Sequence, residues 1–371
     1  MSITPFDADR PPEEPRRPRS GTGRTRRRRR TLGRLGSTDG GREQAVVEDV
    51  EVDPHDSYYG RPVVKAPPWR GPIAVYLFLG GLAGGSGMLA TGAQLTGRPT
   101  LRRNSRFVAL GALGVGTVAL IEDLGRPERF LHMMRTVKVT SPMSLGTWIL
   151  TGFGAASGMV AAVEADHLTG RRIPLGRLRP LLRATETPAA LAQATLGSVL
   201  ASYTGALLGD TAVPTWAASR KHLSTLFVSS ASLAAGGAAM VTAPVAESRP
   251  ARLLAAAGVV GDVTSMRAMK ASMHPLEAEP LEIGRPGTLL RWAERLAVAG
   301  GIGAVLGGRS RVVSAASGAV LLTASALTRF GVLEAGLESV KDPRRVIEPQ
   351  RARLAARRAG GRTDDSITTV G

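Results

Sequence analysis

The chain has no cysteine among its 371 residues. Disulfides, thiolate zinc sites and cysteine-ligated iron–sulfur clusters are therefore excluded within it. Histidine is scarce: His55, His132, His167, His222 and His274 are all there are, and they are expected in tails, loops or helix ends. A membrane cytochrome b needs axial ligands, usually paired histidines inside helices, so the chain is expected to hold no heme and no other metal. Aromatic residues make up only 4%, and the net charge of +18 is carried almost wholly by arginine. One segment lacks charge altogether. Residues 72–95, PIAVYLFLGGLAGGSGMLATGAQL, are nearly all apolar or small, and at 1.5 Å per residue such a run crosses the hydrocarbon core of a bilayer.

The mean hydropathy of +0.02 conceals this, because two polar, Arg-rich ends flank a very apolar middle. Apolar runs near 72–95, 106–121, 142–164, 188–208, 223–243, 251–272, 288–308 and 312–333 predict about eight spans. Strands are excluded in lipid unless they close into a barrel, and the alternating ten-residue segments of a barrel are absent. The expected fold is an all-α polytopic transmembrane helix bundle with disordered polar tails: residues 1–57, a membrane domain over 58–335, and a basic tail over 336–371. The sixth and seventh spans are the weakest, since they carry Asp262, Arg267 and Lys270, and Arg291, Glu294 and Arg295. Gly80 and Gly84, and Gly81 and Gly85, stand four apart on the first span, a spacing that lets helix backbones approach closely. No internal sequence repeat is evident.

The basic excess could mean nucleic acid, but its densest cluster, Arg24 to Arg30, lies among Pro, Gly and Arg with too few apolar residues to bury a core. It reads as a solvated tail attracted to anionic headgroups of membrane lipid, without specific nucleic-acid binding. A twin-arginine signal is not expected, because Thr31 to Asp56 is polar where an apolar region should follow. The basic residues conflict over topology. Arg98, Arg102, Arg103 and Arg106 in the first loop, with Arg171, Arg172, Arg177, Arg179 and Arg183 in the third, favour those loops inside. Arg61, Lys65, Arg70 and the C-terminal arginines favour cytoplasmic termini in the plasma membrane, which is the expectation adopted.

The most specific stretch is Leu120-Ile121-Glu122-Asp123-Leu124-Gly125-Arg126-Pro127-Glu128-Arg129-Phe130, where the second span leaves the membrane. Ser141-Pro142-Met143-Ser144-Leu145-Gly146-Thr147-Trp148 opens the third, with Ser141 placed to cap it and Pro142 in its first turn. Adjacent Glu122 and Asp123 beside Arg126 and Arg129 form either an interfacial salt-bridge set that ends the helix or a proton-handling pair.

These stretches, in this order, resemble the membrane-subunit family of NrfD and polysulfide reductase. The resemblance includes Tyr76-Leu77-Phe78-Leu79-Gly80-Gly81-Leu82-Ala83-Gly84-Gly85, and Tyr203-Thr204-Gly205 followed by Pro214-Thr215-Trp216. It covers roughly 57–335. It implies a quinone-interacting subunit of an oxidoreductase complex that exchanges electrons between menaquinone or ubiquinone and a ferredoxin-like four-cluster [4Fe-4S] partner. Beyond that partner it implies a catalytic, molybdopterin-type subunit. On this reading Tyr76 and Tyr203 hydrogen-bond the quinone oxygens, and Glu122 and Asp123 accept its protons. Arg126, Arg129 and Phe130 dock the partner or fix the loop. Tyr76 and Tyr203 could equally be core tyrosines with satisfied hydroxyls. Asp262 and Glu294 are costly within spans and are candidates for a proton path; Glu294 could instead be neutralised by Arg291 on the same helix. A transporter or proton channel, and a non-catalytic membrane anchor or scaffold, are the competing readings.

Overall fold

The computed structural model describes residues 62–360, apart from positions 136, 139, 171, 173 and 175. The tail over 1–57, its arginine cluster, His55 and residues 361–371 lie outside the described residues. Within them every regular element is helical. Eight long helices form: α1 (Gly71–Leu95), α2 (Pro99–Asp123), α4 (Pro142–Leu168), α6 (Glu186–Gly209), α7 (Pro214–Thr242), α8 (Arg249–Ser272), α10 (Gly284–Leu306) and α11 (Arg311–Ser339). Shorter ones connect or extend them: α3 (Glu128–Arg135), α5 (Leu178–Ala184), α9 (Pro275–Ala278) and α12 (Arg344–Ala359). Proline stands in the first turn of α1, α2, α4, α7 and α8, where its missing N–H costs nothing and its fixed φ starts the helix.

All eight expected spans are helical. Six, α1, α2, α4, α6, α7 and α11, are long and apolar enough to cross a membrane, and the chain is a multi-pass membrane protein. The two that fall short are α8 and α10, whose charges already marked them as weak. Two starts differ from expectation. Helix α2 begins at Pro99 and α7 at Pro214, not near 106 and 223, because polar side chains in their first turns are satisfied inside the protein. The C-terminal region also departs from a featureless tail: α11 continues to Ser339, and α12 is tied back by Arg353 to Glu277 at 3.0 Å and Arg345 to Glu279 at 3.0 Å.

A repeat invisible in the sequence organises the packing. In the first half α1 packs on α2 and α6, and α4 packs on α2 and α6. In the second, α7 packs on α8 and α11, and α10 packs on α8 and α11. The two four-helix bundles meet where α1 and α6 touch α7, and α1 touches α11. Glycine makes the crossings. A Cβ on Gly197 would come within 2.7 Å of the Gly84 carbonyl oxygen, and one on Gly237 within 2.7 Å of the Gly318 oxygen, so α1 on α6 and α7 on α11 each cross backbone against backbone. The adjacent glycines face other helices: Gly85 meets Ala235 of α7 and Gly236 meets Ala255 of α8. Gly80, by contrast, faces open space. Close approach of this kind replaces the hydrophobic drive that lipid removes.

Candidate functional site

At one end of the first bundle, the N-terminal turns of α1 and α4 meet the C-terminal turns of α2 and α6. Between them is a small apolar cavity of about 70 Å³, lined by Trp69, Tyr76, Leu120, Asp123, Met133, Met143, Gly146 and Tyr203 among others. Tyr76 is 4% exposed, and its hydroxyl lies 3.5 Å from that of Tyr203. The two phenols come from helices 127 positions apart in sequence yet face each other. Gly146 makes this possible: the Tyr203 ring tip occupies the space where its Cβ would be. Any side chain there displaces the phenol.

The local sequence builds the rim. Ser141 caps α4 by accepting from the Ser144 N–H at 3.5 Å, with Pro142 in the first turn, as expected from the sequence. Ser144 in turn accepts from the Lys138 N–H at 3.0 Å. After Asp123 the chain reverses through Gly125 at φ 69°, a left-handed conformation that glycine adopts without cost. Arg129 closes the turn by donating to the Leu124 carbonyl at 3.3 Å. Met133 of α3 reaches back to the cavity. Trp69 stacks on Trp216 of α7 with centroids 5.5 Å apart, and the Trp216 indole donates to the Val332 carbonyl at 2.8 Å. One wall of the cavity is thereby keyed into the second bundle.

Of the residues singled out from the sequence, Tyr76, Tyr203 and Asp123 converge on this cavity. Asp123 also lies against Arg70, through its charge and backbone. Glu122 points away and is exposed, and Arg126, Arg129 and Phe130 lie half-buried along the reversal. Asp262 and Glu294 are in the other bundle. Glu294 pairs with Arg267 of α8 at 2.9 Å. Arg291, the partner considered from helix spacing, instead donates to the Glu282 carbonyl at 2.6 Å and to Thr288 at 2.9 Å. Asp262 is 4% exposed, and its Oδ1 has no hydrogen-bond partner among the described residues. The charges of Arg329 and Glu294 act on it.

Two buried charge groups escaped the sequence reading. Arg329 of α11 is fully buried at the junction of the bundles. It donates to the Phe227 carbonyl at 2.6 Å and lies 3.8 Å over the Phe227 ring. At the end of the first bundle remote from the cavity, Arg106 is also fully buried and donates to Glu164 at 2.9 Å, Glu186 at 3.0 Å and Gln94 at 2.5 Å. Arg102 binds the same Glu164 at 2.6 Å. Arg106 is thus a core residue and Arg102 a half-buried one, rather than loop charges. The only signal available was an (i, i+4) arginine pair facing a lone glutamate at the end of another span.

A larger hollow of about 690 Å³ opens between Ala66, Arg285, Glu334 and Lys341. Its charges are already spent: Arg285 pairs with Glu334 at 3.3 Å and Lys341 with Glu338 at 2.6 Å. The Tyr76–Tyr203 cavity is the better candidate.

The family described as Polysulphide reductase, NrfD matches residues 63–266, more than half of the chain. The chain belongs to the NrfD family. The match takes in the whole first bundle, the cavity, α7 and most of α8. Among curated relatives, Protein NrfD of Escherichia coli (strain K12) is 32% identical over 161 residues, an alignment covering 38% of this chain and 48% of that protein. This NrfD-family chain therefore spans about half the length of the curated relative it matches.

Proposed function

We propose that the cavity between Tyr76, Tyr203 and Asp123 receives the ring of a membrane quinone, menaquinone or ubiquinone, and that the chain is the quinone-reactive subunit of a membrane oxidoreductase. The observation that carries this is the pair of phenol hydroxyls 3.5 Å apart, beside a carboxylate, in an otherwise apolar slot. A quinone needs that combination: apolar walls for the ring, hydroxyls for a ring oxygen, and a group to exchange protons. Oxidation of one quinol to quinone releases two protons and two electrons. Asp123 accepts one proton from the ring oxygen nearest it, releases it to water beside the exposed Glu122, and then accepts the second. The electrons leave to a ferredoxin-like four-cluster [4Fe-4S] subunit docked on the Arg126–Phe130 turn, and from it to a molybdopterin-type catalytic subunit. In the reverse direction the same groups return protons to the reduced ring.

The test is quinol oxidation by the purified complex. Tyr203→Phe removes one hydrogen bond, worth about 1 kcal/mol, and should raise KM for the quinol about fivefold. Asp123→Asn should lower kcat with little change in KM, because it removes the proton acceptor and keeps the shape. Unchanged quinol kinetics in both variants would defeat the reading.

A second reading concerns the other bundle. The orphaned Oδ1 of Asp262 favours a proton route from Glu294 to Asp262. Asp262→Asn should then abolish proton uptake by vesicles during turnover while electron transfer continues.

A further inference from the structure

We infer that the lipid-facing groove between α8 and α10 is a binding site for an anionic phospholipid, with an acyl chain in the groove and its phosphate on Arg252. The inference does not depend on the redox reading. The groove holds about 360 Å³ and is lined wholly by apolar or small residues, among them Ala256, Val260, Val298, Gly301 and Ile302. Val260 is 63% exposed and Ile302 57% exposed, so the wall is open to the surroundings along its length. At its depth Gly301 meets Val259, and the absent side chain leaves room for a chain to lie between the helices.

What identifies the occupant is the charge at the mouth. Arg252 stands one turn before Ala256, on the same face of α8 and in its first turn. Its guanidinium lies against Gly308, just past the end of α10, with its central carbon 3.2 Å from where a Cβ would be. Among the described residues its guanidinium has no hydrogen bond or ion pair, although the residue is half-buried. Arg249, exposed three positions earlier, adds a second cation on that face. An apolar slot that ends in two arginines with no side-chain partner among the described residues complements a phosphodiester joined to a hydrocarbon chain. A transmembrane protein helix would instead leave Arg252 facing an apolar surface.

The groove is also bounded lengthwise. On α8 the lipid-facing stretch between Arg252 and Arg267 has 14 residues, and on α10 the uncharged run Leu296 to Gly308 has 13. That is about 20 Å, against about 30 Å for the hydrocarbon core. Bilayer lipid must thin or tilt at this flank, and a lipid held by its headgroup settles the local depth.

The experiment uses the full chain in phosphatidylcholine vesicles, with a trace of phosphatidylglycerol bearing a photoreactive acyl chain. Labelled peptides are then mapped by mass spectrometry. Labelling should concentrate on α8 and α10. A phosphatidylcholine probe should label the groove about fivefold less, and Arg252→Gln should lower phosphatidylglycerol labelling about fivefold, the value of one cation beside an anionic headgroup. Ile302→Trp, at an exposed position that tolerates bulk, should displace the label by filling the slot. Labelling elsewhere on the bundle perimeter reports that each variant is folded. Even labelling around the perimeter, or groove labelling unchanged in both variants, would overturn the site. Protection of the wild-type groove from lipid would show that a protein segment covers it, and would overturn it equally.

Discussion

At the scale of single residues, the cavity rests on an absence. Tyr203 can meet Tyr76 only because position 146 has no side chain. Gly146→Ala should push the phenol aside at a cost of about 1–3 kcal/mol, the usual penalty for overpacking. The variant should assemble in the membrane with a lowered Tm and lose quinol turnover, which thermal unfolding and a kinetic assay read together. Full turnover in Gly146→Ala would mean that the tyrosine pair does not matter. The tyrosines, Asp123, Gly146 and the Ser141 cap were all legible as residues of interest. The dependence of Tyr203 on Gly146 was not, because nothing in a linear sequence says which glycine faces which ring. Arg329 was unread for a related reason. A lone arginine near the end of an apolar run resembles an interfacial residue until the neighbouring helices are seen to close over it.

Among elements, buried charge decides how the first bundle holds together. Arg106 takes carboxylates from α4 and α6 and an amide from α1, so four helices share one knot. Glu164→Ala would leave Arg106 buried without its main counter-charge, and removing one partner of a buried ion pair costs about 3–5 kcal/mol. The expected result is a loss of folded protein in detergent, measured as the surviving monodisperse fraction on heating. Full retention would show that Glu186 and Gln94 suffice. The turn between α11 and α12 behaves differently, since it lies outside the membrane. There Asp342 accepts from the Arg344 side chain at 3.0 Å and backbone N–H at 2.9 Å. The hydrogen bonds and charge of Arg344 hold its carboxyl below the ordinary value of 3.8. A depressed value in the folded state means that the contact stabilises the turn above pH 3.8 and is lost as pH falls through the lower folded value. Amide exchange in α12 should therefore quicken, relative to α11, under strong acid, and Asp342→Asn should show the faster rate already at neutral pH. Helix existence was readable from apolar length and from proline at helix starts. The early start of α2 was not, because arginines in its first turns read as loop until their carboxylates are found on distant helices.

For the molecule as a whole, the organising fact is two four-helix bundles with the same packing order, each crossing its central pair at a glycine–glycine contact. Gly197→Leu and Gly318→Leu should each prise apart one crossing, and both should reduce assembled protein by similar amounts. A large loss from one alone would mean that the halves are not energetically alike. The cavity end carries the start of α1 and, through α11, the start of α12, so the orientation of the site follows from either terminus. The proposed cytoplasmic orientation predicts that Ala356→Cys, an exposed position on α12 in a chain without other thiols, is labelled by an impermeant maleimide only after the cells are opened. Labelling in intact cells would reverse it. By itself the sequence determined that this chain lives in a membrane, is helical, carries no cysteine-ligated cluster and resembles the NrfD family. Those properties follow from composition, run length and local motif, all of which are written along the chain. Only the tertiary structure decided which glycines touch, which arginines are buried, that two bundles repeat, and that Tyr76, Tyr203 and Asp123 share one cavity. Each of those depends on contacts between segments far apart in sequence. Lipid leaves such contacts to close packing and buried polar pairing rather than to any pattern a single helix displays.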